Sequence, residues 1–281
     1  MGGNSNICAG YADRMNLKPE LEAVYRRFNR REFIDPDPLL PVWDYEDPRD
    51  QEIVALVGAS LAFGNVKTIL ASIGIVLKLL PAQPRDLPGV AESMLSKQLA
   101  GFRHRYSTGA EMAAMLSGAA SAMREHGSLA GAFDVDWRAS GKDFEGALSL
   151  FSQRLSGGNK NYLLPDPALG SACKRWMMYL RWMVRKDAVD PGAWQTLGCG
   201  LKPAHLLVPV DTHMLRIATA LHFTARQQGS LLTAREITGH FRKVCPRDPV
   251  RYDFCLTRLG IRRAPEMAAL LERWREEEWD G

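Results

Sequence analysis

Residues 208–216 read Val208-Pro209-Val210-Asp211-Thr212-His213-Met214-Leu215-Arg216, a short extended run that meets an aspartate and passes into a helix. Leu215, Ala218 and Leu221 recur at helical spacing. Asp211 therefore stands at an N-cap position, its carboxylate placed to accept first-turn amides. One reading stops at the cap. The other keeps the cap and adds chemistry, because the amides and the helix macrodipole favour the charged form of a carboxylate at that end. A fixed anion of this kind stabilises a cationic sugar transition state or orients a water.

Outward from this stretch the period stays near 3.6, so the expected fold class is all-α. Leu17 to Phe33 reads as an amphipathic helix with Leu21, Val24, Tyr25 and Phe28 on one side. Asp35-Pro36-Asp37-Pro38 to Pro41 cannot be helix. Asp47-Pro48 supplies an N-cap and a proline at the first helical position for a helix to about Phe63, stopped at Gly64. Asn65 caps Val66 to Leu80, and residues 81–90 form a proline-rich connection. Thr108 with Glu111 makes a capping box for a helix to about His126, and Thr233 with Glu236 reads as a second. Lys142 to Ser156 is helical and ends at Gly157-Gly158-Asn159. Asp166-Pro167 opens a long segment reaching Lys186. Asp248-Pro249 starts the helix carrying Tyr252, Phe254, Cys255 and Leu259, and Ala264 to Glu277 is last. Strand signals are weak throughout.

The 281 residues suffice for one large domain or two lobes sharing a core. The most apolar run, Ile69 to Leu77, is too short to span a bilayer. The opening MGGNSNICAG has neither a basic start nor an apolar block, so no secretory leader is expected. Cys8, Cys173, Cys199, Cys245 and Cys255 are odd in number and lack zinc-ligand spacing, which fits thiols in a reducing cytoplasm. Of the 36 bases and 32 acids, residues 272–281 hold two and five, which leaves the rest with 34 and 27. A moderately basic body with an acidic tail is compatible with a polyanionic partner.

The nonapeptide resembles the Val-Asp-Thr-His-x-x-Arg signature of the helix-hairpin-helix DNA glycosylase superfamily, with Pro209, Val210, Asp211, Thr212, His213 and Arg216 matching. In that superfamily the aspartate is catalytic and ends a loop that opens a helix. The whole chain, from about Leu40 to Ile261, also resembles the bacterial conserved-hypothetical family called domain of unknown function 2400. The matching stretches are Leu40-Pro41-Val42-Trp43, Asp47-Pro48-Arg49-Asp50, Gly170-Ser171-Ala172-Cys173-Lys174-Arg175, Arg181 to Asp187 and Asp248 to Phe254.

The glycosylase resemblance implies one bilobed helical unit over residues 1–281. Residues 44–207 would form a helical barrel lobe, and residues 17–43 with 208–281 a second lobe. Ile53 to Ile69 looks like the helix-loop-helix that enters the DNA stack, with Ser60, Phe63, Gly64 and Asn65 in the base-contacting loop. A small-residue turn between two core helices is the plain alternative.

Residues 167–186 carry Lys174, Arg175, Arg181, Arg185 and Lys186 and no acid. At about 100° per residue, Lys174, Met178, Arg181 and Arg185 share one stripe, opposite Trp176, Met177, Leu180, Met183 and Val184. The stripe is either a solvated face or a phosphate-tracking surface with a nucleophile at its N-terminal end. Like charges and partial burial favour a neutral, nucleophilic lysine, and Lys174 is the candidate.

The usual glycosylase hairpin, Leu-Pro-Gly-Val-Gly-x-Lys, survives only as Asp190-Pro191-Gly192-Ala193, a degenerate helix-hairpin-helix region without the second glycine or the lysine. The spacing of Lys174 and Arg181 is instead similar to the archaeal 8-oxoguanine DNA glycosylases, whose lysine lies on an apolar helix further upstream. That resemblance implies base excision of an oxidised purine, with Asp211 stabilising the sugar cation and Lys174 forming a Schiff base. Arg175, Arg181, Arg185, His213 and Arg216 would contact DNA. Trp176, Trp182 and Trp194 are either core or stacking residues for a flipped base. No metal, iron–sulfur cluster or other cofactor is expected. The expected partner is double-stranded DNA with a damaged base, met by a cytoplasmic, nucleoid-associated monomer without a membrane. The rivals are a non-catalytic DNA- or RNA-binding relative, another nucleotide-directed enzyme on the same scaffold, and a protein-interaction module.

Overall fold

In a computed structural model, residues 17–261 and 265–276 are described. Residues 1–16 with Cys8, and the tail acids Glu277, Glu278 and Asp280, lie outside the described residues. The fold is all-α, and among the described residues the strands are one antiparallel pair of two residues each, β1 (Arg103–His104) and β2 (Ser107–Thr108), with Arg103 opposite Thr108. Among the described residues no helix is long and apolar enough to cross a membrane.

The chain divides into two compact units, Ile34–Lys202, and Met1–Phe33 with Pro203–Gly281. In the first, α2 (Pro48–Ser60) is the axis. Asp47 caps it by accepting from the amide of Arg49, and Pro48 fills its first turn, where no amide partner is needed. It is buried on every side from Asp50 to Ser60, which is why it shows no amphipathic stripe. It packs on α8 (Lys174–Val184), on the short α9 (Ala193–Thr196) and on a 3-10 turn at Leu40–Asp44. Gly58 has no room for a side chain, since a β-carbon there would lie 2.8 Å from the Pro38 carbonyl oxygen.

Asn65 caps α3 (Val66–Leu79), followed by α4 (Glu92–Leu99). Thr108 and Glu111 form the expected reciprocal box at the start of α5 (Gly109–His126), which ends on left-handed Gly127. Helices α4, α6 (Leu129–Ala139) and α7 (Phe144–Ser156) all pack on α5. Phe133, Phe151, Trp176, Tyr179 and Trp194 close a circuit of neighbouring rings with centroids 5.2–5.7 Å apart. This circuit, Trp194 and Trp176 included, is the core of the unit, and Trp182 is equally buried.

The second unit contains α1 (Leu17–Phe28), α10 (Thr212–Ala220), α11 (Leu231–Val244), α12 (Asp253–Ile261) and α13 (Pro265–Glu276). Helix α12 touches α1, α10 and α13, and α10 touches α13.

Several sequence-based boundaries move for identifiable reasons. Helix α1 stops at Phe28 and a separate 3-10 turn covers Arg31–Phe33. Helix α2 stops at Ser60, where the ladder tightens: the Ala62 amide donates to the Ala59 carbonyl at 3.1 Å and the Phe63 amide to the Leu61 carbonyl at 2.7 Å. The expected helix from Asp166 to Lys186 is broken. Asp166 caps only a 3-10 turn, Gly170 is left-handed at φ 79°, and Cys173 at φ 51° precedes α8. The cap of α11 is Ser230, which accepts from the amide of Thr233, and Glu236 is drawn to Thr224 and Arg226 instead. Asp248-Pro249 opens turns, and the helix begins at Asp253.

Candidate functional site

Asp211 is placed by the run before it. Leu206, Val208 and Val210 are buried. The amide of Val208 donates to Thr238 Oγ1 on α11 at 2.9 Å. Pro209 has no amide to satisfy. With the run pinned in this way, Asp211 caps α10: its Oδ1 accepts from the amide of Met214 at 2.8 Å. Its carbonyl oxygen accepts from Leu215 at 2.8 Å. The carboxylate is partly exposed, and Thr212 and Arg216 beside it are exposed. His213 is half-buried against α12, where a β-carbon at Gly260 would lie 3.2 Å from its Nδ1. The result is an anion fixed at the positive end of a helix, partly at solvent.

The other candidates lie in the unit of residues 34–202. Ser60 is buried, and its hydroxyl donates to the Val57 carbonyl at 3.0 Å. Phe63 is not a projecting wedge: its ring is packed edge-on against His104 (4.7 Å) and Tyr162 (5.4 Å). His104 Nε2 donates to the Phe63 carbonyl at 3.1 Å, and its Nδ1 pairs with Ser72 Oγ at 2.9 Å. Gly64, at φ 106°, and Asn65 are exposed at the tip of the loop. Arg175 bolts this loop to the next, its guanidinium donating to the carbonyls of Ser60 (3.0 Å) and Tyr162 (2.5 Å). It also lies over the rings of Phe63 and Tyr162, at 5.1 and 4.8 Å. Beneath it a cavity of about 10 Å³ is lined by Ser60, Arg175, Trp176 and Tyr179 among others. That is room for about one water, far short of a purine. Lys174, half-buried, is the first residue of α8.

The basic stripe is not a surface. Arg181 and Arg185 are 5% and 3% exposed and both engage Asp190, which is wholly buried. Arg181 approaches the carboxylate at 3.1 Å, and Arg185 also reaches Asp187 at 2.9 Å. Burial pushes the Asp190 carboxyl upward, and the two guanidiniums pull it down. The stripe expected to be solvated or to track phosphate is thus covered at Arg181 and Arg185, and Arg185 lies one residue past the end of α8. The cover is the hairpin echo itself. The amides of Val189 and Asp190 donate to Asp187 Oδ1 at 2.8 Å. Those of Asp187 and Gly192 donate to the carbonyls of Asp190 and Trp182, both at 3.0 Å. These amides therefore hold the protein together and are not presented to a phosphate.

Two clusters were invisible in the sequence. Glu52 is fully buried in α2, yet accepts from the amides of Leu129 (2.8 Å) and Ala130 (3.0 Å) at the start of α6 and from Trp194 Nε1 (3.0 Å). Burial pushes its carboxyl up to about 7 against the pull of these donors. In the other unit Glu22 holds Arg251 at 2.9 and 3.0 Å and the Tyr252 hydroxyl at 2.8 Å. Arg251 also lies 3.8 Å over the Tyr25 ring. The Asp248 to Phe254 stretch thus fastens α1 to α12.

Among the described residues no three His, Cys, Asp or Glu side chains gather as metal ligands. No curated protein and no solved structure matches the chain. The family model described as Protein of unknown function (DUF2400) matches residues 37–262, and the chain belongs to that family.

Proposed function

We propose that this protein is a DNA glycosylase of base-excision repair, acting on a damaged purine such as 8-oxoguanine. The observation that carries the reading is Asp211. Its carboxylate is fixed by the Met214 amide at a helix start, is partly exposed, and sits in a Val-Asp-Thr-His-x-x-Arg stretch like that of the helix-hairpin-helix glycosylases. A base must leave the stack for its glycosidic bond to be reached. Asp211 then stabilises the positive charge that develops on the sugar. Lys174 is the proposed nucleophile: its amine attacks the anomeric carbon and gives up a proton, and the base departs with the bonding pair and takes up a proton. The bond from the anomeric carbon to the ring oxygen then breaks with its pair going to that oxygen, and the resulting Schiff base permits strand cleavage by β-elimination. His213, Arg216, Gly64 and Asn65 remain the proposed DNA contacts. Such a role belongs at the nucleoid.

Borohydride reduction with lesion-containing duplexes tests the proposal. A covalent adduct formed by the wild type and lost in Lys174→Gln supports it. Base release without an adduct moves the chemistry to water. Neither release nor adduct on oxidised, deaminated or alkylated bases sinks it.

One observation weighs against a duplex grip of the superfamily's usual kind. The hairpin echo at Asp190-Pro191-Gly192 uses its amides internally, and Arg181 and Arg185 are buried around it. The phosphate grip that accompanies catalysis in the resembling superfamily is therefore not carried by these groups.

A further inference from the structure

We propose that the loops around Phe63, Tyr106 and Tyr162 form a stacking platform for the unpaired bases of single-stranded DNA. The proposal rests on the reading above only in taking DNA as the polymer. It needs neither Asp211 nor Lys174.

The platform is assembled from three loops of one unit. Tyr106, at the tip of the β1–β2 hairpin, is 73% exposed, and Tyr162 is 46% exposed. Their rings meet edge-on at 6.4 Å, and Tyr162 meets Phe63 at 5.4 Å. Tyr106 and Tyr162 are the exposed rings of the three, and every nucleobase has a π-face that can stack on a ring. Cations interleave the rings. Arg175 lies over Phe63 and Tyr162, and Arg105 lies 5.5 Å over Tyr106. The platform is also rigid beneath. The carbonyls of Ser60 and Tyr162 are held by Arg175, and the Phe63 carbonyl is held by His104.

Charge selects the partner. The contributing segments 61–67, 100–108 and 156–165 contain Lys67, Arg103, Arg105 and Lys160, all exposed, and no acid. The nearest carboxylates in sequence, Glu111 and Asp166, are both engaged. Glu111 accepts from the amides of Thr108 and Tyr162, and Asp166 from Ser149 and Gln153. Among the described residues Glu111 is the one carboxylate held against these loops, and the four exposed charges of the segments are all positive, which fits a flexible strand that offers nucleobases to the rings and phosphates to the cations. An acidic protein surface offers the charge without the stack of planar faces. The duplex offers phosphates with its bases already stacked.

The test is fluorescence anisotropy with labelled oligo(dT) and an abasic oligomer of equal length, over a salt series. The expected result is that oligo(dT) binds the wild type more tightly than the abasic strand. Tyr106→Ala and Tyr162→Ala should each weaken oligo(dT) binding by about fivefold or more, the low end of one lost stacking contact. Tyr106→Phe should bind like the wild type, since it keeps the ring. Arg105→Ala should flatten the salt slope by roughly 0.7, the single-strand value for one phosphate. Equal affinity for the two oligomers, or undiminished binding by both alanine variants, overturns the proposal. So does binding of neither oligomer, which leaves a protein partner as the occupant of these rings. Asp211→Asn should bind oligo(dT) normally. Oligo(dT) binding without excision of any lesion therefore removes the glycosylase reading and keeps the platform. Excision without oligo(dT) binding does the reverse.

Discussion

Glu52 gives the sharpest test of the interior. Its carboxylate is enclosed in α2 with three donors, the amides of Leu129 and Ala130 and the Trp194 indole, and no cation is bonded to it among the described residues. Burial nonetheless raises its pKa from 4.5 to about 7. Below pH 4.5 the folded and unfolded chains both carry the proton, and the stabilising contribution is fully present. Between 4.5 and about 7 the unfolded chain has lost the proton while the folded chain retains it. Folding in that window takes up a proton, so stability falls as pH rises and levels off above the folded pKa. At roughly 1.4 kcal/mol for each pH unit, the gap amounts to about 3 kcal/mol. Glu52→Gln removes the titration while nearly preserving shape, although its amide must face one of the donors. Urea denaturation of both proteins from pH 4.5 to 8 isolates the effect. The stability of wild type minus that of Glu52→Gln should decline by about 3 kcal/mol across the window. A flat difference, or one that rises with pH, would mean that the three donors outweigh burial and hold the group ionised.

Asp211→Asn should leave stability within about 1 kcal/mol, because asparagine also caps, while abolishing base excision; normal excision would reduce Asp211 to a cap. Asp190→Ala leaves two buried arginines without that carboxylate and should cost about 3–5 kcal/mol by thermal or urea unfolding; a loss under about 1 kcal/mol would mean that solvent enters the site and compensates the arginines. Gly118→Ala, which helix propensity alone would favour, should instead destabilise by about 2 kcal/mol, since the new β-carbon would fall 2.0 Å from the Leu155 carbonyl oxygen. Burial raises the thiols of Cys173 and Cys199 to about 11, so at neutral pH both should be alkylated far more slowly in the native protein than after denaturation.

What could be read from the sequence was what the chain decides within a few residues. Asp47, Asn65 and the Thr108–Glu111 box cap the helices they were expected to cap, because each satisfies amides two or three positions ahead. Where two hydroxyls compete over the same short range, as Ser230 and Thr233 do, the pattern alone chose wrongly. Helix α6 escaped notice because its first amides are satisfied by Glu52, 77 and 78 residues away, as well as by its own Ser128. The stripe on α8 failed for a related reason. Periodicity locates Arg181 and Arg185 on one face, but the hairpin that brings Asp190 back over that face follows from Gly192. That residue is left-handed at φ 66°, and a β-carbon there would sit 2.5 Å from Lys186 Cβ. Of the candidate site, the Asp211 cap was local and therefore legible. The meeting of Phe63, Tyr106 and Tyr162 joins residues 43 to 99 positions apart and was not.

The composition of α5 bears on how this unit moves. Gly109, Ala113, Ala119, Ala120 and Ala122 are buried along it beside Met112, Met115, Leu116 and Met123, and backbone comes close at its start, Leu99 against Gly109, and at its middle, Leu155 against Gly118. Glycine and alanine have no rotamers to lose on burial, so the two close approaches form with little side-chain entropy cost. Nor can they relax by a side chain hopping between wells, because backbone meets backbone. The amides of α5 should accordingly be among the slowest to exchange with deuterium, opening only when the whole unit opens. The exposed loop tips at Gly64 and Tyr106 should exchange faster, by local fluctuation.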